Sequence, residues 1–348
     1  MGWHTSSLKR AFYLKFPKVD LHRHLEGSLR IETLLELAGS HGIKTSSKDD
    51  FYSLVQVQQN DPLTFSNFLS KFQPLRLFYR SPEVISRVAY EAIEDAAKDN
   101  VRYLELRFTP VALGRVEGFP LGDVMDWVAE SVQKASTDFH IHTQLIASVN
   151  RHESPKLAEE VAHLTADRMS RGFVGLDLAG NEAEFSAKPF APIFREAKES
   201  GLAITIHAGE WGGAGNVREA IEELGADRIG HGVRVLEDET VVSLARERKT
   251  PFEVCITSNY QTGAVPALLA HPLPRMMMAD LTVTINTDDP SISKINLSNE
   301  YMIACDDLSL SHETLAETIL TAAEAAFLPP SKRQNILELL QQELQKIV

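Results

Sequence analysis

The chain has 348 residues, 43% apolar and 24% charged, a globular composition whose length suits one large α/β barrel with insertions, a single domain over residues 1–348. A net charge of −13 without a basic stripe excludes a nucleic-acid partner and favours a small, roughly neutral ligand. No run approaches the roughly 20 apolar residues that cross a bilayer, so no membrane partner is expected, and Cys255 and Cys305, with no CxxC pair, point to a reducing cytoplasm.

The opening segment "MGWHTSSLKRAFYLKF" lacks an apolar run followed by a cleavage site and is no secretory signal; Gly2 and Ser6 meet only the loose myristoylation pattern. The first strand candidate, "KVDLHRH", runs into "LEG". A strand has a period of two, so Asp20, His22, His24 and Glu26 point to one side. Four ionisable groups facing an interior are costly unless a metal ion neutralises them. The link to the next strand is long and contains "DPLTFSNFLSKF", with Phe65, Phe68, Leu69 and Phe72 on one helical face. That face either packs on the barrel or forms an apolar lid over a flat ligand.

Further along come "RYLELRFTP", "TQLIASVN", "FVGLDLAG", "LAITIHAGE", "DRIGHGV", "FEVCITSN" and "LTVTINTDDP", each reading as a strand. Helical patterns separate them: "SPEVISRVAYEAIEDAAKD", "LGDVMDWVAESVQKAS", "SPKLAEEVAHLTADRMS", "KPFAPIFREAKES", "NVREAIEEL" and "DETVVSLARER". Eight β runs alternating with helices predict a (β/α)8 barrel, with extra helices between strands 1 and 2 and from Leu308 to the C-terminus. A doubly wound sheet would place a Gly-rich phosphate turn after its first strand, where this chain has histidines.

Polar residues gather at the C-terminal ends of these runs: His22 and His24, Asn150 to His152, Gly180 to Glu182, His207 and Glu210, His231, Ser258 and Asn259, Asp288 and Asp289. Active sites of such barrels lie at that end. His22, His24, His207 and Asp288 supply three imidazoles and a carboxylate, a donor set suited to Zn2+ or a similar divalent ion with one position left for water. The pair His140 and His142 has the same spacing, but it stands at the start of the third strand, where it is expected to be structural or exposed. Glu210 follows His207 just outside its strand. His231 lies between Gly230 and Gly232, which permit close approach of backbone or ligand. Asp288 and Asp289 precede Pro290; alone they would read as a turn or helix cap, but beside the histidines one carboxylate can bind metal while the other holds water or substrate.

"PKVDLHRHLEG", "LDLAGNE", "HAGE", "RIGHGV", "CITSNYQTGAV" and "INTDDP", in this order and spacing, resemble the adenosine deaminase family of the amidohydrolase superfamily. The similarity runs from about Pro17 past Asp289 and takes in "FLSKF" and "VISRVAYEAIEDAAKDNVRYLELRFTP". It implies a (β/α)8 barrel, one zinc ion per chain, a purine nucleoside as the small-molecule substrate, and hydrolytic loss of ammonia from C6 of adenosine or 2′-deoxyadenosine. It implies that His22, His24, His207 and Asp288 hold the zinc, Glu210 protonates purine N1, and His231 orients the attacking water and helps to deprotonate it. It also implies that Asp289 holds that water and contacts N7, and that the Gly180 backbone N–H meets N3. Glu26 stands where many members have Asp, at the ribose 5′-hydroxyl, and Asn181 stands where some have an acid. Phe65, Phe68, Leu69 and Phe72 match the apolar lid. The H-x-E and P-C-x-x-C ligands of cytidine-type deaminases are absent. Related possibilities are deamination of free adenine or of an adenosine derivative such as aminodeoxyfutalosine or N6-methyl-AMP; a non-catalytic nucleoside-binding protein would be expected to lack part of this set.

Overall fold

The structure, a computed structural model, describes residues 7–40 and 47–347; the myristoylation pattern at Gly2 and Ser6 lies outside them. Eight parallel strands follow one another in chain order: β1 Lys18–His24, β2 Val101–Phe108, β3 His142–Asn150, β4 Phe173–Ala179, β5 Ala203–Ala208, β6 Arg228–His231, β7 Phe252–Val254 and β8 Val283–Ile285. The last strand meets the first just beyond its own end. Asp288 N–H donates to the His22 carbonyl at 2.7 Å and His24 N–H donates to the Asp288 carbonyl at 2.8 Å. The closure of the barrel thus carries Asp288 to the two histidines.

Alternation sorts each strand into two faces. Val19, Leu21, Leu104, Leu106, Leu176, Leu178, Ile204, Ile206, Phe252 and Val254 are buried and belong to the apolar core. The alternate positions make ion pairs with one another, two of them between strands that are not neighbours, so they fill the barrel's interior. Arg228 pairs with Glu105 and, at 2.6 Å, with Glu253; Arg107 donates to Glu253 at 2.8 Å. Below them the Arg228 guanidinium lies 3.4 Å from the Phe327 ring centroid, and Phe327 N–H donates to Glu105 at 2.6 Å. The C-terminal region thereby closes the barrel floor. Barrel interiors usually hold branched apolar side chains; here charge runs from the floor upward.

The surrounding helices have local causes. Ser81 caps the helix Pro82–Lys98 by accepting from Val84 N–H, with Pro82 at its first position. Between β1 and β2 the chain forms the helices Ile31–Ser40, Lys48–Val55, Phe65–Ser70, Phe72–Arg76 and Pro82–Lys98, and after β8 the helices His312–Glu324 and Pro330–Leu344. No helix among the described residues is long and apolar enough to cross a membrane.

Two boundaries differ from expectation. The run "FEVCITSN" is a strand only to Val254; Ile256–Gln261 is a helix. Its start is held from a distance, because Glu300 accepts Thr257 N–H at 3.0 Å and also the Thr257 hydroxyl. The lid segment is not one helix, since it breaks at Lys71 into two short ones.

Candidate active site

The strand ends place donors around one point. The ligand atoms of His22, His24, His207 and Asp288 all lie within 4.8 Å of one another. His24 Nε2 faces His207 Nε2 at 3.3 Å, and Asp288 Oδ1 lies 3.4 Å from both His22 Nε2 and His24 Nε2. His22 Nδ1 donates to Glu253 at 2.7 Å and His207 Nδ1 donates to Asp177 at 2.9 Å. Those carboxylates set the tautomers, so both Nε2 lone pairs point inward. His22 Nε2 is buried without a hydrogen-bond partner. Inward lone pairs beside a carboxylate repel unless a cation lies among them, and three imidazoles with one carboxylate fit one divalent metal ion.

Glycine makes this convergence possible at Gly230, where a Cβ would stand 3.1 Å from His22 Cε1 and 3.2 Å from His207 Cα. Backbone strain contributes at two other positions. His231 and Asp288 hold φ of +61° and +63°, the left-handed region that non-glycine residues seldom occupy. Strand β8 has ended before Asp288, and the turn sends Asp288 and Asp289 to different partners. Asp288 Oδ2 accepts from Ser258 Oγ at 2.6 Å. Asp289 packs where a Cβ on Gly27 would come within 1.8 Å of its Oδ1. Burial pushes the Asp289 carboxyl well up, and the neighbouring Asp288 adds to this, whereas Asp288, facing the histidines, stays low despite its burial. Asp20, also on the inward face of β1, does not reach the cluster; it accepts from Thr287 Oγ1 at 2.6 Å and holds the turn.

Glu210 and His231 stand over the cluster. Burial pushes the Glu210 carboxyl well above the usual range, and the Asp288 and Glu182 carboxylates add to it, the direction that favours its protonated form. Its Oε2 lies 3.6 Å from His231 Nε2, and its Oε1 accepts from Thr262 Oγ1 at 3.3 Å. Burial drives His231 well below its usual value, so the imidazole is neutral. Asn259 Nδ2 is 3.1 Å from His231 Nδ1 and fixes the ring.

These groups open into one cavity, with His24, His207, Glu210, His231, Asp288 and Asp289 at its floor and Asn150, Ala179 and Gly180 on one side. Gly180 has φ of +93°, a conformation open to glycine. Phe68, Leu69, Phe72 and Trp211 form an apolar wall, and Glu26, Arg76 and Thr109 close the remaining end. Phe65, expected in the lid, does not line the cavity. It lies on the same helix as Phe68 and Leu69, but its ring packs on Trp211 at 5.1 Å between centroids. Asn181 also points elsewhere, donating to Glu184 at 3.1 Å and accepting from Ala183 N–H at 3.1 Å.

A family model described as adenosine deaminase matches residues 17–343. The chain belongs to the adenosine deaminase family. It is 37% identical to the adenosine deaminase of Clostridium perfringens (strain SM101 / Type A) over 325 residues, 93% of this chain and 97% of that protein. Among solved structures, an amidohydrolase from Burkholderia ambifaria with bound Zn superposes with a TM-score of 0.88 at 26% identity, covering 100% of this chain and 95% of that one. The N6-mAMP deaminase of Arabidopsis superposes with a TM-score of 0.85 at 28% identity, covering 95% and 99%.

In this adenosine deaminase family member, several residues of the site escape the sequence analysis. Asp177 and Glu253, behind the histidines, are single carboxylates inside otherwise apolar strands, a signal that could have found them. Glu182, placed at a strand end from the sequence but given no role there, accepts the backbone N–H groups of Gly209, Glu210 and Trp211 at 2.9, 2.6 and 2.8 Å, pinning the loop that presents Glu210. Arg76, Thr109 and Trp211 carry no motif that would mark them.

Proposed function

We propose that this protein is a hydrolytic deaminase of adenosine and 2′-deoxyadenosine, forming inosine or 2′-deoxyinosine and ammonia in purine salvage, with one Zn2+ held by His22, His24, His207 and Asp288. The observation that carries this reading is the buried Glu210 carboxyl, 3.6 Å from His231 and over a cluster of inward-pointing donors. Zinc suits three neutral imidazoles and one carboxylate, and the amidohydrolase of Burkholderia ambifaria holds Zn. When bound, the ion supplies a Lewis acid that brings the pKa of water from about 15.7 to about 7.

The chain's own residues supply the rest. Phe68, Leu69, Phe72 and Trp211 cover the flat purine and exclude bulk water. The Gly180 N–H donates to N3, and Asp289 contacts N7. Attack of water on C6 breaks the ring's aromaticity and moves an electron pair onto N1, where the Glu210 carboxyl gives up its proton. His231 and Asp289 orient the water and carry its first proton to the amino group, which leaves as ammonia. The second proton is released as the C6–O bond becomes a carbonyl, and it resets Glu210. Glu26 receives a hydroxyl of the sugar. We also assign the enzyme to the cytoplasm, where Cys255 and Cys305 stay free thiols.

A second reading, deamination of a derivative carrying a 5′-phosphate such as N6-methyl-AMP, has the Arg76 cation at the cavity's end in its favour and the Glu26 carboxyl against it. The test is a panel of adenine, adenosine, AMP and aminodeoxyfutalosine, followed by absorbance with and without chelator, together with metal analysis of the purified protein. Turnover of adenosine that chelator abolishes is expected. Metal-replete protein that leaves adenosine untouched refutes the proposal.

A further inference from the structure

Polar atoms without partners gather where the cavity ends. Glu26 Oε2, Arg76 Nε, Tyr79 Oη and Asp289 Oδ1 are all buried, and none has a hydrogen bond. Glu26 and Tyr79 are 5% and 0% exposed. Glu26, Arg76 and Asp289 line one cavity, and beside burial the Glu26 charge raises the Tyr79 phenol while Arg76 acts against it. Buried polar atoms are nearly always satisfied; Asp289 faces the purine at the floor, and the orphans of Glu26 and Arg76 at the other end mark a place built to receive something polar.

The orphans are complementary. Glu26 Oε1 already accepts Thr109 N–H at 2.7 Å, and its other oxygen is left for a donor. Arg76 ends the short helix Phe72–Arg76 and lines the cavity beside Glu26, yet among the described residues the two make no ion pair. Thus a free acceptor and a free donor face one space without meeting. A hydroxyl both donates and accepts and satisfies both. A phosphate only accepts, so it would serve Arg76 while opposing the Glu26 carboxylate. A free purine base leaves both unsatisfied.

We propose that Arg76 is a specificity-determining residue, its Nε donating to the oxygen of a sugar hydroxyl whose own proton goes to Glu26 Oε2. The inference rests on the nucleoside reading above and adds to it the selection of nucleosides over free base and nucleotide. Arg76 stands away from the donor cluster, so its bond is made alike in ground and transition states and acts on KM more than on kcat.

The experiment compares the enzyme with Arg76→Met and Arg76→Gln on adenosine and on its 2′-deoxy, 3′-deoxy and 5′-deoxy analogues, with AMP as a fifth compound. Melting temperature and metal content report the fold. Arg76→Met is expected to lower kcat/KM roughly 10- to 100-fold on adenosine, mainly through KM, as loss of a charged hydrogen bond does. The loss should shrink to about twofold or less on one deoxy analogue, the one lacking the clamped hydroxyl, and Arg76→Gln, which keeps an N–H donor, should recover part of it. Equal losses on all the nucleosides, with folding and metal intact, overturn the clamp and leave Arg76 a structural residue. Turnover of AMP that depends on Arg76 overturns it in favour of a phosphate site. Wild-type protein inactive on every nucleoside refutes instead the functional reading on which the clamp rests.

Discussion

The chain contains the pattern His-x-His twice, at opposite ends of the barrel. His22 and His24 end β1 at the mouth; His140 and His142 flank the start of β3 at the floor, and both are exposed. The first pair faces a carboxylate and a third imidazole, and His22 and His207 are each backed by a buried acid. The second pair lines a groove with Arg171 and Lys332 and, among the described residues there, no carboxylate. His140 instead shapes the backbone, since with φ of +55° it ends the helix Leu121–Phe139. Spacing alone therefore says little. What distinguishes a ligand pair is what stands opposite the rings and what holds their far nitrogens.

The sharpest way to break this comparison is to remove one mouth ligand. His22→Ala should abolish stoichiometric metal and lower turnover at least about a thousandfold, because water activation goes with the ion. Elemental analysis beside an ammonia-release assay checks it; a metal-free variant with near-normal turnover would overturn the assignment. Next in size is Glu210→Gln. The metal should stay, and kcat should fall at least about a hundredfold, the low end for general acid catalysis. Unchanged metal content with unchanged kcat would remove Glu210 from the chemistry.

The mouth pair was legible because the strand period of two aligns His22, His24 and Glu26, and because six motifs share one order and spacing. The eight strands were legible from apolar alternation. Strand ends were less so. A short apolar run cannot be told from a helix by period alone, and the helix at Ile256 is anchored by Glu300, which lies 43 residues downstream of Thr257. The left-handed backbone at His231 and Asp288 carries no local mark, since neither is glycine. The charged barrel interior could be seen in principle in "RYLELRF", where Tyr103, Glu105 and Arg107 share one face, but their partners come from other strands. Arg76 was illegible for the same reason: its meaning depends on Glu26, which only the fold brings near.

The acids behind the histidines sharpen the comparison, because the floor pair has none. Asp177→Asn should weaken metal affinity about 10- to 100-fold while leaving the ligand set intact, since carboxylates that orient metal-binding imidazoles act at that scale. Competition with a chelator reads it. Glu253→Gln should do the same and also destabilise the fold. Glu253 neutralises Arg107 and Arg228, both 0–1% exposed, and stranding buried charge costs about 3–5 kcal/mol. A lower melting temperature for Glu253→Gln than for Asp177→Asn is expected; the reverse order would show that the interior charges are not carried by Glu253.

The smallest effect belongs to the floor pair itself. His140→Gly preserves the left-handed conformation that ends its helix, and His142→Thr keeps a strand-forming residue at an exposed position. The double variant should differ from the parent by no more than about 0.5 kcal/mol in stability, as exposed substitutions usually do. Metal content, kcat and KM should all be unchanged. The test is informative because the removed side chains match the mouth pair in type and spacing and differ from it in surroundings. If the double variant lost metal or turnover, the contrast between imidazoles that face a carboxylate and a third imidazole and exposed ones that face neither would not separate the two pairs, and the floor groove would need a part in the enzyme's work.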